Sequence, residues 1–365
     1  MKDCDLLVLH GRQPKAMALR ILEESGIAQL FPRGSRVVLK PNLINAKPAS
    51  SGSTTTPEVA AGVIEFLQRL GVGRITIAEG SSTDCDTRQA FETCGYGLLS
   101  RRYGVSLLDL KHDSFRKLEA GGLLLEVSRT ALEADFLINL PVLKGHSQTR
   151  LTCALKNLKG CIPDAEKRRF HSLGLHRPIA ALSTVLKPHL TLVDALCGDL
   201  SFEEGGTPVR MDRLILGRDP VLVDSYAATL LGYCPEEIEH VVLAAAMGAG
   251  SIELAKARVR QLGEPSPVPD TSLQRRAVAQ LARHIEAREA CSACYGSLLH
   301  ALQRLQERGE LGRLRETLHV GQGFRRQKPS GIGIGSCASG CPSNLPGCPP
   351  AARDILDFLG SALHA

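Results

Sequence analysis

Short apolar runs alternate with amphipathic stretches through the first 250 residues. The runs at residues 5–9, 36–40, 74–78, 105–109, 122–127, 135–140, 190–194 and 213–216 have the length and composition of buried strands. Between them, residues 57–70 place Val59, Val63, Ile64, Phe66 and Leu67 at mostly helical spacing, with Thr56 as N-cap and Pro57 at the first helical position. Strand–helix–strand alternation at this interval needs crossover connections. It predicts an α/β protein with a largely parallel sheet flanked by helices, whose ligands bind beyond the carboxyl ends of the strands.

The pattern changes after residue 262. Residues 263–270 hold three prolines in eight positions and read as a linker. Beyond it, residues 271–311 predict helix, broken or ended near Gly296 and Gly309. The stretch 331–350 is rich in Gly, Pro, Ser and Cys and reads as loop, and 351–363 predicts a closing helix. The expected organisation is an α/β domain over 1–262 and a small, cysteine-rich helical and loop segment over 271–365.

Composition narrows the setting. No apolar run approaches the roughly 18 residues of a membrane span. The opening Met-Lys-Asp-Cys-Asp-Leu-Leu-Val-Leu-His lacks the parts of a signal peptide, so a cytoplasmic protein is expected. The net charge is +6, and residues 251–330, with 14 Lys/Arg against 8 Asp/Glu, account for all of it. Such a basic region suits an anionic substrate or partner. Nucleic acid fits poorly, because aromatics are only 4%, Trp is absent and no stacking motif interleaves with the charges.

Twelve cysteines in a reducing compartment point to metal or redox chemistry rather than disulfides. Five lie in the tail, as Cys291-x2-Cys294, Cys337-x3-Cys341 and Cys348 within Gly347-Cys-Pro-Pro350. At i and i+3 on a helix, Cys291 and Cys294 share a face. Gly- and Pro-rich loops bring further thiolates in without a regular element. Four thiolates suit a 4Fe–4S cluster, with Cys291, Cys294, Cys337 and Cys348 as ligands and Cys341 as the alternative to Cys337. A structural zinc ion at the same cysteines is the competing occupant. The Gly-Cys-Pro-Pro segment resembles the cluster-binding segment of the small subunits of hydrogenases and of respiratory complex I. Cys4, Cys85, Cys94, Cys197 and Cys234 are scattered singly, as small buried hydrophobes are, and Cys153 and Cys161 are too far apart for a standard ligand pair.

The second concentration of chemistry follows the strand at 135–140. Residues 144–177 carry Lys144, His146, Lys156, Lys159, Lys167, Arg168, Arg169, His171, His176 and Arg177. Cations at the carboxyl edge of a parallel sheet bind carboxylates or phosphates, and His146 and His171 are of the type that transfers protons or ligates metals. Lys40-Pro-Asn42 and Glu79-Gly-Ser81-Ser82 close two other strands and complete the expected substrate contacts: Lys40, Asn42, Glu79, Ser81, Lys144, Lys159 and Arg169. The acids of residues 199–206 follow a further strand, where they would balance this charge. Neither GxGxxG nor a Walker A loop is present, so ordinary nucleotide binding has little support.

Several of these landmarks occur in one order. Lys-Pro-Asn at 40, Thr-Thr-Pro before a helix, Ala-Glu-Gly-Ser, Leu-Pro-Val-Leu-Lys-Gly-His, Leu-Lys-Asn-Leu-Lys-Gly and Leu-Gly-Arg-Asp-Pro-Val-Leu-Val-Asp-Ser together resemble the domain-of-unknown-function family 362 over about residues 35–250. The resemblance implies an iron–sulfur segment in many members but no defined reaction, and here that segment is C-terminal rather than a ferredoxin-type insert. A further likeness, to the loop of nickel-pincer lactate racemases, implies proton-transfer, cofactor-linked and metal-ligand roles at His146, Lys156 and His171. The leading expectation is an oxidoreductase, its cluster exchanging electrons with a redox partner and with a small anionic substrate or cofactor. An isomerase-type enzyme with a structural cluster, and a non-catalytic electron carrier or assembly factor, are the alternatives.

Overall fold

The structure, a computed structural model, describes residues 1–200, 203, 205, 207–268, 270 and 272–364. Positions 201, 202, 204 and 206 of the acidic loop, 269 of the linker, 271 and 365 lie outside the described residues. Two units form: residues 1–167 with 175–270, and residues 168–174 with 271–365.

The first unit contains β1 (Asp5–His10), β2 (Arg36–Pro41), β3 (Arg74–Glu79), β4 (Ser106–Asp109), β5 (Phe115–Ala120), β6 (Leu123–Ser128), β7 (Phe136–Leu140), β8 (Lys144–His146), β9 (Arg150–Thr152), β10 (Leu190–Asp199), β11 (Pro208–Gly217) and β12 (Arg258–Leu262). Eight of them build one sheet in the order β12-β1-β11-β10-β7-β2-β3-β4. The run from β10 through β7, β2 and β3 to β4 is parallel, whereas β11 pairs antiparallel with both neighbours. The expected α/β class with a largely parallel sheet is what forms.

The helices Pro14–Ser25 and Pro57–Arg69 bury Met17, Ile21, Val59, Val63 and Leu67 in the same core as Leu7, Leu9, Val37, Leu39, Ile75 and Ile77 of the strands. Thr56 occupies the N-cap of the second helix, but its side chain makes no capping bond. Its N–H donates instead to Asp194 Oδ2 at 2.7 Å.

Sequence periodicity and structure part at three places. The run at 122–127 is an edge of the antiparallel hairpin β5–β6, outside the large sheet, because Gly121 and Gly122 both take positive φ (55° and 75°) and turn the chain straight back. The Pro-rich segment is tied down: Arg213 Nη2 donates to the carbonyls of Ser266 (2.9 Å) and Pro267 (2.6 Å), and Ser266 N–H donates to His10 Nδ1 at 2.9 Å.

The largest correction lies in the tail. A second, fully parallel sheet runs β13 (Ile285–Ala287), β14 (Leu318–Val320), β15 (Ile332–Ile334) and β16 (Ser343–Leu345) in that order. Residues 331–350 are therefore not all loop, and 271–311 is not one helix but Ser272–Ala282, β13 and Ser292–Glu307. Strands of three residues such as Ile-Gly-Ile and Ser-Asn-Leu are too short to display a period. Gly296 does not break its helix, since Tyr295, Leu298, Leu299, Leu302 and Leu305 bury a continuous stripe around it. Among the described residues no helix is long and apolar enough to cross a membrane.

Asp219 caps the helix Pro220–Leu230 by accepting from Val221 N–H (2.8 Å) and Leu222 N–H (3.1 Å), and also holds Ser251 N–H at 2.7 Å. Replacing Asp219 with Ala leaves two buried donors, Val221 and Leu222 N–H, and the half-buried Ser251 N–H without their acceptor. A loss of about 2 kcal/mol is expected in urea unfolding, and an unchanged midpoint would contradict this account.

Candidate functional site

Lys40 and Glu79 end the adjacent parallel strands β2 and β3 and are 1% and 3% exposed. Lys40 Nζ lies 2.7 Å from Glu79 Oε1 and donates to Pro41 O at 2.8 Å and Asn157 Oδ1 at 3.5 Å. The carboxylate also accepts from Leu43 N–H and Gly80 N–H, both at 2.7 Å. A buried ion pair survives only when its remaining hydrogen-bonding capacity is met in this way. Gly160 packs directly on the pair, so a Cβ there would collide with both partners.

Asn157 extends the network. Its Nδ2 donates to Lys40 O (3.2 Å), Pro41 O (3.4 Å) and Asn139 Oδ1 (2.8 Å), and Asn139 Nδ2 donates to Ala154 O (2.9 Å). Asn42 receives Lys144 Nζ at 3.3 Å, and Lys144 also donates to Ser53 O at 2.7 Å. Ser81 donates to Leu43 O at 2.6 Å, and its carbonyl takes Lys167 Nζ at 2.7 Å.

The segment after β7 is not a solvated loop. It forms the hairpin β8–β9 and the short helix Ala154–Asn157, nearly all of it buried. That helix begins on Asp224, which accepts from Ala154 N–H (2.6 Å) and Leu155 N–H (3.0 Å); burial raises the pKa of Asp224 to about 7 against the pull of both donors. Burial likewise holds the Cys153 thiol well above its ordinary pKa and pushes that of Cys161 up to about 12.

Two of the expected catalytic residues meet through a third. Glu203 accepts from His146 Nε2 at 2.9 Å on one oxygen and binds Lys156 Nζ on the other. His146 Nδ1 accepts the backbone N–H groups of Gln148 (3.0 Å) and Thr149 (3.1 Å), so the neutral ring carries its proton on Nε2, toward the carboxylate. Burial, reinforced by the Lys156 charge, lowers the His146 pKa to about 4. Burial also lowers the Lys156 pKa, while the lysine and histidine hold Glu203 well below the usual carboxylate range despite its burial. The charge of Lys159 reaches His146, and that of Lys144 reaches Glu203.

Lys40, Asn42, Glu79, Ser81, Lys144, His146, Lys156 and Lys159 thus belong to the first unit, at the carboxyl edge of its sheet or in the segment that follows β7. Arg169 and His171 end the helix Asp164–Ser172, in the piece that groups with the second unit. Of the acids expected in 199–206 to balance the charge of residues 144–177, Glu203 does so. Asn157 and Asp224 are functional-site residues not expected from the sequence, although they stand inside the motifs Leu-Lys-Asn-Leu-Lys-Gly and Leu-Val-Asp-Ser.

In the second unit three strands run into cysteines at their carboxyl ends. Cys291 follows β13 and is the N-cap of the helix Ser292–Glu307, which carries Cys294 in its first turn; Cys337 follows β15 and Cys348 follows β16. A hydrogen bond with Cys291, then burial and the nearby charges of Cys348 and Cys337, drive the Cys294 thiol far above its ordinary pKa. Cys341 is elsewhere, packed with Phe324 and Ala338, and only burial perturbs it.

The Cys337 turn is braced. Asn344 Nδ2 donates to Gly335 O (3.1 Å) and Ala338 O (3.2 Å), and Ser336 N–H donates to Gly347 O at 2.9 Å, joining the turn to the Cys348 loop. No disulfide links any of the twelve cysteines. Among the described residues no three His, Cys, Asp or Glu side chains are arranged to hold a metal ion.

The profile of the family described as Domain of unknown function (DUF362) matches residues 37–229. A thylakoid-associated protein of Synechocystis is 28% identical over 203 residues, 53% of this chain and 61% of that protein, so the match spans about three fifths of the relative's length. Among solved structures, the lactate racemase apoprotein of Thermoanaerobacterium thermosaccharolyticum is similar at 14% identity and a TM-score of 0.37, over 55% of this chain and 52% of that one. A protein of Thermotoga maritima is similar at 15% identity and a TM-score of 0.38, over 65% of this chain and 60% of its own.

Two outcomes follow from the buried charges. Changing Glu79 to Gln strands the Lys40 ammonium and is expected to cost about 3–5 kcal/mol in chemical unfolding; a cost within experimental error would mean that the ammonium finds other compensation. Below pH 6.5 the unfolded His146 imidazole binds a proton that the folded one refuses until about pH 4, so stability falls with pH across that window. That difference is worth about 3 kcal/mol. Unfolding of His146→Gln, followed from pH 7 to 4, should show a correspondingly shallower decline.

Proposed function

The chain belongs to the DUF362 family, and starting from that membership we propose that it is an iron–sulfur oxidoreductase. In this reading Cys291, Cys294, Cys337 and Cys348 hold one 4Fe–4S cluster, and the first unit takes a small anionic substrate or cofactor at the edge built by Lys40, Lys144 and Lys156. The observation that carries the reading is that Cys291, Cys337 and Cys348 each follow the carboxyl end of a strand in one parallel sheet, with Cys294 in the first turn of the helix that Cys291 caps. Cys341, buried against Phe324 and Ala338, is the one left over.

The donor set fits such a group. Thiolates gather at the amino end of the helix Ser292–Glu307, where its dipole favours negative charge. A structural zinc ion, with Zn–S bonds of about 2.3 Å, would draw on the same four sulfurs, and acid-labile sulfide is what separates the two occupants. When bound, a cubane cluster supplies one-electron transfer at a potential tuned by charge, hydrogen bonding and exposure.

In the first unit the residues bind and hold protons. His146 stays neutral, with its Nε2–H directed at Glu203, and Lys156 keeps that carboxylate ionised. The same Glu203-bridged pair favours a second reading, an isomerase-type enzyme that moves a proton at this site and keeps the cluster only as a structural brace.

Protein purified without oxygen should contain about four irons and four acid-labile sulfides per chain. Cys348→Ser is expected to lose the iron and the visible absorbance while the first unit stays folded, whereas Cys341→Ala should keep both. One zinc without sulfide would overturn the cluster. Retention of iron by Cys348→Ser would overturn the ligand set. Cluster reduction by a one-electron donor, followed by reoxidation during turnover, separates the redox reading from the isomerase reading.

A further inference from the structure

A buried imidazole ordinarily has a ring nitrogen hydrogen-bonded, because each unsatisfied buried polar atom costs about 1–3 kcal/mol. His240 departs from this at both nitrogens. It is 0% exposed on the helix Glu239–Ala246, and neither Nδ1 nor Nε2 has a hydrogen-bond partner among the described residues. Its ring centroid lies 5.8 Å from that of His176, with the planes tilted by 31°. His176 opens the helix His176–Val185; its Nδ1 is also buried without a partner, and its Nε2 is 3.6 Å from Glu239 Oε2. Three uncommitted imidazole nitrogens therefore stand side by side where two helices pack.

The pair adjoins the chemistry already described. The helix His176–Val185 packs against the short helix Ala154–Asn157 that carries Lys156, and, after burial, the Lys156 ammonium helps to keep His240 neutral. In the hairpin that leads to Lys156, the Thr152 hydroxyl is another buried group without a partner. A packing role would be met as well by Phe, which fills similar space and strands no polar atom. A resident metal ion fits poorly, since the described residues offer no third ligand grouped with the pair. Two neutral rings, each with one N–H to donate, in the field of an ammonium group, match the oxygens of an anion.

We propose that His176 and His240 form an oxyanion subsite beside the Lys156–Glu203–His146 cluster, donating their ring N–H groups to the oxygens of a small carboxylate or phosphate. This rests on the anionic-substrate reading above and names side chains that would receive that substrate.

The test uses the full chain labelled with 15N-histidine, titrated separately with acetate and with inorganic phosphate while the ring nitrogens are followed by NMR. At least one anion is expected to bind saturably and shift the His240 resonances, and the stronger of the two identifies the oxyanion. His240→Phe should weaken that binding about tenfold or more and raise the thermal midpoint, because the stranded nitrogens are gone. His176→Phe should weaken it in the same way, and it decides the matter if the first variant does not fold.

Binding of neither anion by the wild type would remove both this subsite and the anionic-substrate reading. Wild-type binding that leaves the His240 resonances unmoved, or that survives in His240→Phe, would remove the subsite alone. Lost binding with a lowered midpoint would assign His240 a structural role and also overturn the proposal.

Discussion

The ion pair between Lys40 and Glu79 is the constraint around which the first unit is arranged. Two opposite charges at the ends of neighbouring strands have been taken out of water, and every remaining donor and acceptor on them must then be met by protein. Backbone groups at Pro41, Leu43 and Gly80 meet most of that demand, and Asn157 meets part of it from 117 residues away. The segment from β8 to Gly160 is consequently drawn over the sheet edge. Gly160 has no side chain because the ion pair occupies the space one would need. Once that segment is seated, Lys156 and His146 have fixed positions, and Glu203 has two groups to bind.

Much of this was legible in the sequence because the edge rule of parallel sheets is simple. Lys40, Glu79 and Lys144 each stand where a strand ends or has just ended, and the strands themselves were visible as apolar runs. What could not be read was the direction of each side chain. The cations of 144–177 look like a solvent-facing loop when counted along the chain, yet Lys144, Lys156 and Lys167 are buried and satisfied by carbonyls, amides and carboxylates. Asn157 and Asp224 left no signal of their own, since a lone Asn or Asp in a helical stretch is ordinary until its backbone partners are known. His240 was equally silent: orphaned nitrogens are a property of surroundings, not of spacing.

The tail's secondary structure was not legible in the sequence. Its strands are three residues long, so no alternation could develop, and Gly333 inside β15 looks like a loop residue although the close approach of Ala338, Cys341 and Asn344 requires it. The second unit nonetheless repeats the logic of the first on a smaller scale. Parallel strands deliver reactive side chains to one edge, and short turns braced by Asn344 and Ser336 set their positions. Counted from strand ends, Cys337 and Cys348 each lie three residues beyond a strand and Cys291 four.

The place of β1 in the large sheet has a consequence for synthesis. The first strand of the chain lies between β11 and β12, bonded on one side to residues 213–217 and on the other to 258–262. Neither neighbour exists when residues 5–10 leave the ribosome. At about 5–20 residues per second, the apolar Leu6-Leu7-Val8-Leu9 run waits on the order of tens of seconds for both of its edges. The parallel strands β2, β3, β4 and β7 are complete well before then, so the sheet grows from its β4 side and β1 is among the last strands to be enclosed. In the cell that interval is a window in which a chaperone, or a second nascent chain, competes for the same strand.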